Sequence, residues 1–205
     1  MTRWLAEASR LLHAARDELT ELDAVRGDAD HGVNMDRGFQ TVAETLAIES
    51  FDTPQAVLLR AAAVLRAGMG GTSGPLWSLG LRRMALALGD EPEVEGRRLG
   101  AALLDAAQAM SDIGGAKEGD NTMLDVLLPV GRGLREQLEA GVSLRVAIDG
   151  AGSDADGLAR ATADRSSAKG RASYLGDRPI GTADPGAVSA AIVVTALRAA
   201  VAVPE

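Results

Sequence analysis

Three carboxylates, Asp23, Asp28 and Asp30, stand within a stretch of eight positions, and His31, Gly32 and Asn34 follow directly. The chain has only two histidines, and one of them is here. Gly27 and Gly32 mark a loop in which separated acids can converge. Carboxylates gathered without partners repel one another, and a divalent cation relieves that repulsion. Donors that are oxygen alone point to magnesium or calcium rather than zinc. The spacing does not match a calcium EF-hand loop, which needs further oxygens at fixed intervals and a terminal glutamate. Magnesium held by carboxylates and completed by phosphate oxygens fits better, and two such ions side by side can clamp a diphosphate. At this point two readings stand: that site, or solvated loop acids that cap the helix behind them.

A second stretch, Gly68-Met69-Gly70-Gly71-Thr72-Ser73-Gly74-Pro75, offers backbone N–H groups and two hydroxyls at a helix start, a ready anion site. It is not a Walker A loop, since no Gly-Lys-[Ser/Thr] is present, and no strand precedes it as a dinucleotide fingerprint requires. Its glycines could instead serve close helix crossing. Arg171 can fork onto phosphate oxygens, whereas Lys169 reads as a surface charge. Asp184-Pro185-Gly186 is a phosphate-side turn or a plain helix cap. His31 sits between the acids and a helix start, where a phosphate contact is natural, while His13 reads as structural. Trp77, one turn past the glycines, suits either a base pocket or the core.

The elements that must position these loops are helices. Alanine and leucine dominate and aromatics are only 2% of the 205 residues, a composition that favours helix over strand. Leu5, Ala8, Leu12, Ala15, Leu19 and Leu22 trace one apolar stripe, which predicts a first helix of about five turns from a Thr2 cap to Asp23. Asn34 or Asp36 caps a second, with Phe39, Val42 and Leu46 inward. Thr53-Pro54 starts a third that ends at Gly68, and Pro75 opens a fourth that ends at Gly89. A fifth follows Glu91-Pro92, and a sixth carries Leu124, Leu127, Leu128, Leu134 and Leu138 and ends at Gly141. Ser143 caps a seventh reaching to Ser167, and Pro185 starts the last, which ends near Ala202. The expected fold is therefore all-α: an antiparallel up-and-down bundle or barrel of eight helices in a single domain spanning 1–205. The long polar stretches follow helices one, three, five and seven, so order alone places all four loops at the same end.

Composition narrows the function. A net charge of −8 argues against a general nucleic-acid binder, which needs a cationic face. No apolar run reaches the length of a membrane span, and the first residues lack a secretory pattern. Zero cysteines exclude disulfides and thiolate metal sites and fit a reducing cytoplasm.

Four motifs together resemble the nucleotide-binding L subunit of dihydroxyacetone kinase, in that family's order and spacing and over nearly the whole chain. They are Gly27-Asp28-Ala29-Asp30-His31-Gly32-Val33-Asn34-Met35, Gly70-Gly71-Thr72-Ser73-Gly74-Pro75-Leu76, Gly119-Asp120-Asn121-Thr122-Met123-Leu124-Asp125, and Lys169-Gly170-Arg171-Ala172-Ser173-Tyr174-Leu175 with Asp184-Pro185-Gly186-Ala187. The resemblance implies an eight-helix barrel with a nucleotide at one end. It implies that Asp23, Asp28 and Asp30 hold two magnesium ions on the phosphates of a bound ADP or ATP. His31, Gly32, Val33 and Asn34, with Thr72 and Ser73, then contact the phosphates. Gly114 and Met123 border the adenine, and Arg171 with Asp184, Pro185 and Gly186 completes the site. No catalytic residue is implied beyond this metal–nucleotide site.

In members that depend on the phosphotransferase system, the resemblance implies a kinase subunit, active only with its partners. A phosphohistidine on an M subunit recharges the bound nucleotide, and a K subunit presents dihydroxyacetone as acceptor. It further implies a cytoplasmic homodimer with no membrane or nucleic-acid partner; some members also bind a transcription regulator. Two alternatives remain: an L-type subunit of an ATP-exchanging kinase for another small keto-sugar, and a nucleotide-sensing regulator. Two positions depart from the family pattern. Asn121 stands where a lysine is expected in Gly-Asp-Lys-Thr-Met, and Trp77 is larger than the residue expected there.

Overall fold

The computed structural model describes residues 1–165 and 180–201, and every regular element among them is helical. The helices are α1 (Thr2–Ala14), α2 (Arg16–Arg26), α3 (His31–Ile48), α4 (Pro54–Gly68), α5 (Ser73–Leu88), α6 (Gly96–Gly114), α7 (Leu124–Glu139), α8 (Leu144–Ala161), α9 (Pro185–Thr195) and α10 (Arg198–Val201), with a 3-10 turn at Thr162–Asp164. Among the described residues the eight expected helices become ten, because the first and the last each break. Ala15 leaves the helical region at φ −95, ψ 3, so the single leucine stripe is carried by α1 and α2 in succession. The last helix stops at Thr195 and resumes at Arg198.

Several boundaries follow from local chemistry. Thr53 accepts a hydrogen bond from Ala56 N with Pro54 behind it, Ser143 accepts from Val146 N, and Asp184 accepts from Ala187 N with Pro185 at the first helical position. Gly141, at φ 84, ends α7 in a Schellman arrangement: its N–H reaches Leu138 O and that of Val142 reaches Gln137 O. Other boundaries move. Met1, not Thr2, precedes α1. The second expected helix starts at His31 rather than after Asn34 or Asp36, and the fourth at Ser73 rather than Pro75. The fifth starts only at Gly96, and α8 ends at Ala161, short of Ser167, which lies outside the described residues.

The helices close into a ring. α1 packs on α3, then α3 on α4, α4 on α5, α5 on α6, α6 on α7, α7 on α8, α8 on α9, and α9 returns to α1. The closing seam is pinned where the Trp4 indole N–H donates to Val193 O at 2.8 Å. One continuous core fills the ring, from Trp4 and Leu12 through Phe39, Leu58, Met84 and Leu134 to Ile148 and Val193. Trp77 belongs to it: the ring is buried and meets Phe39 edge to face, with centroids 5.8 Å apart. It is a core residue and not a wall of the loop end. Among the described residues no helix is long and apolar enough to cross a membrane.

Candidate functional site

The described residues of the four polar loops meet at one end of the ring. The first runs from the end of α2 to the start of α3, and Arg26 ties it to the fourth. That buried guanidinium donates to Thr162 O at 3.4 Å and to Thr182 O. Burial pushes its pKa down, against an upward pull from Asp184. The first loop meets the second where Asn34 faces Gly70. The third meets the fourth where Asn121 Nδ2 donates to Arg165 O at 2.9 Å and Arg165 reaches Asp125 at 3.1 Å. Met123 also stands against Gly186. Leu76, just past the second loop, lies 3.5 Å from where a Cβ on Gly114 would sit.

Within the first loop, Asp23, Asp28 and Asp30 bring carboxylate oxygens within 4.8 Å of one another. Asp23 is buried and the other two are exposed. One Asp23 oxygen, Oδ2, accepts the N–H groups of Asp30 at 2.9 Å and His31 at 3.1 Å. The side chain of Asp30 itself caps nothing, so α3 is capped by an acid from the preceding helix. Ala29, at φ 61, makes the turn that carries Asp28 and Asp30 back toward Asp23. A left-handed alanine is strained by about 1 kcal/mol. Oxygen donors converging from a two-anchor loop, with Asp23 Oδ1 left clear of those two N–H groups, fit a magnesium ion.

His31 Nε2 lies 2.9 Å from Ser189 Oγ, and that hydroxyl is 3.0 Å from Gly186 O. The hydroxyl has one proton. With it given to Gly186 O, Ser189 accepts from His31 Nε2–H. Burial pushes the imidazole below its ordinary pKa, against upward pulls from Asp23, from Asp30 and from a backbone hydrogen bond at Pro185. Burial thus favours the neutral ring, which is tied to α9 through Ser189.

Gly32 is buried because α3 crosses α2 there: a Cβ would lie 2.1 Å from Arg16 O. Val33 points outward and is exposed, whereas Asn34 is buried beside the second loop. Thr72 precedes α5 without a side-chain capping bond, and Ser73 is its first residue. Gly114 ends α6, Met123 is buried at the start of α7, and Asp184, Pro185 and Gly186 begin α9. Asp184 is largely enclosed by protein, and burial raises its pKa to about 6, helped by Asp125 and opposed by its bond from Ala187 N and by Arg26. The structure thus gathers at one end all the sequence-predicted residues that it describes. Arg171 and Lys169 lie outside the described residues.

Sequence reasoning missed the residues that hold the loops together. Asp125 accepts from Gly119 N at 2.9 Å and Thr122 N at 2.8 Å and so shapes the third loop. Its motif position, six residues after Gly119, was the available signal. Arg26 sat beside Gly27 in the acid motif. Ser189 had no signal, being one polar residue in an alanine- and valine-rich helix.

Fold and loops together define an all-helical barrel with an acid-bearing polar site at one end. A model of the DAK2 domain matches residues 25–199. The chain is 38% identical over 189 residues to the PEP-dependent dihydroxyacetone kinase ADP-binding subunit DhaL of Escherichia coli (strain K12), with 92% of this chain and 90% of that one covered. It is 39% identical over 190 residues to the D-erythrulose kinase of Mycolicibacterium smegmatis, covering 92% of this chain and 32% of that one. The crystal structure of the dihydroxyacetone kinase from C. freundii in complex with AMP-PNP and Mg2+ superposes with a TM-score of 0.76 at 25% identity, over 96% of this chain and 33% of that one. The chain thus spans about a third of the length of these last two relatives. It belongs to the DAK2 domain family.

Proposed function

We propose that this chain is the ADP-binding subunit of a dihydroxyacetone kinase. It would hold a magnesium nucleotide as coenzyme, recharged by a phosphohistidine partner and discharged to dihydroxyacetone on a K-type partner. The observation that carries the reading is the convergence of Asp23, Asp28 and Asp30 at the loop end of the barrel, in a chain that matches a DhaL subunit over nearly its full length. Two magnesium ions on these acids would neutralise phosphate charge during transfer. The chain's own work is placement. Asp23 fixes the start of α3 while presenting a carboxylate, and Asn34, Thr72 and Ser73 line the phosphate side with His31. Gly114 and Met123 border the base, and Arg171, Asp184, Pro185 and Gly186 complete the pocket.

The acceptor and its base come from the partner. Large apolar side chains are exposed at this end on Val25, Val33, Ile113 and Ile180, as a docking face requires. A homodimer in the cytoplasm is the expected assembly.

Reconstitution tests the reading. Added to a K-type and a phosphohistidine M-type partner, the chain should restore dihydroxyacetone phosphate formation in proportion to its amount, and Asp30→Ala should not. Formation at equal rate without the chain would refute it. A second reading has its own support, the match to D-erythrulose kinase: an acceptor tetrulose phosphorylated with exchangeable ATP. Offering erythrulose and dihydroxyacetone to the same mixture separates the two.

A further inference from the structure

Arg37 stands one helical turn after Asn34 on α3, and its Nη2 donates to Asn34 Oδ1 at 3.1 Å. Among the described residues it makes no ion pair, although Arg165, in the same loop end, pairs with Asp125. An arginine spent on a neutral amide in a chain of net charge −8 needs a reason. The amide's orientation supplies one. A guanidinium only donates, so it selects the oxygen of Asn34 and turns Nδ2 the other way. Nδ2 then lies 3.7 Å from where a Cβ on Gly71 would sit. Oδ1 and Arg37 Nη2 lie 2.8 and 3.3 Å from the corresponding point on Gly70. The bonded pair lies in the volume beside Gly70, where a larger side chain would have to push it aside. Asn34 is buried, so its amide meets the loop in whichever orientation its neighbours impose. With the oxygen on the Gly71 side it would repel an anion held there; with the NH2 group on that side it donates to one.

We infer that Arg37 is a positioning residue for phosphate: it holds the Asn34 amide with its oxygen against Gly70 and its NH2 group toward Gly71. This rests on the nucleotide reading of the site. Arg37 acts through Asn34, so its contribution vanishes when Asn34 is gone.

A double-mutant cycle on the full chain tests it, with Mg-ADP titrated calorimetrically into wild type, Arg37→Met, Asn34→Ala and the double variant. Arg37→Met should weaken binding about tenfold, the worth of one hydrogen bond to a charged group. Arg37→Lys, which still donates to Oδ1, should recover most of it. In the Asn34→Ala background, Arg37→Met should cost less than about twofold. Additive losses would overturn the inference by making Arg37 an independent charge, and unchanged binding in Arg37→Met would overturn it outright. Arg37→Ala, which keeps no donor for Oδ1, serves if Arg37→Met does not fold, with the same losses expected. A wild type that binds no nucleotide would instead remove the reading beneath, and is told apart because no variant need be measured.

Discussion

Asp23 Oδ2 accepts the backbone N–H of Asp30 at 2.9 Å, so the last turn of α2 caps the first turn of α3. The same carboxylate is one of three that converge. One residue thus serves the fold through one oxygen and the site through its charge, and the two roles separate by substitution. Asp23→Asn keeps an acceptor for the Asp30 and His31 N–H groups and loses the charge. Its stability without ligand should stay within about 0.5 kcal/mol of wild type, while Asp23→Ala should lose about 1–2 kcal/mol. Both should lose magnesium-dependent nucleotide binding. Urea denaturation with and without Mg-ADP measures each effect; equal stability of the two variants would contradict the capping role.

Asp184 gives the fold a pH dependence of its own. Its folded pKa, about 6, lies above the ordinary carboxylate value of 3.8. A carboxyl group raised on folding binds its proton more tightly in the native state, so its stabilising contribution is full below about 4 and is lost as pH rises to about 6. Asp184→Asn keeps the cap on α9 but cannot ionise. The stability of wild type relative to Asp184→Asn should therefore fall between pH 4 and pH 6 and level off above. Urea midpoints across that range read it; a flat difference would mean that Asp184 stays charged.

Asn121, where a lysine is expected, has a backbone that suits asparagine. It lies at φ 66, a region asparagine tolerates better than lysine, and its amide donates to Arg165 O. Asn121→Lys should cost about 1–2 kcal/mol through that strain and the lost bond. Thermal unfolding measures it, and a variant as stable as wild type would show that the loop turns without help from Asn121.

Much of the fold was legible because its punctuation is local. Thr53-Pro54 and Asp184-Pro185 mark the starts of α4 and α9 to the residue. The loops' common end followed from helix order and pairing. The break at Ala15 was not legible, since the leucine stripe runs through it and only tertiary contact sets where the turn opens. The start of α3 was misplaced because His31-Gly32 reads as loop; packing on α2 and capping by Asp23 make it helix. The convergence of the three acids was legible, because a glycine-marked loop lets carboxylates separated in sequence meet. Arg26, Arg37 and Ser189 were not, since each matters through a partner remote in sequence or through an amide's orientation.

The central claim is that Asp23, Asp28 and Asp30 hold a magnesium nucleotide. Differential scanning calorimetry of the nucleotide-free chain with ADP or ATP, with and without magnesium, tests it most directly, beside Asp30→Ala. At a nucleotide concentration 100 times the dissociation constant the wild type should gain about 2.7 kcal/mol, visible as a raised melting temperature only when magnesium is present. Asp30→Ala should melt near wild type alone and show no such gain. A wild type unmoved by either nucleotide in magnesium would contradict the account.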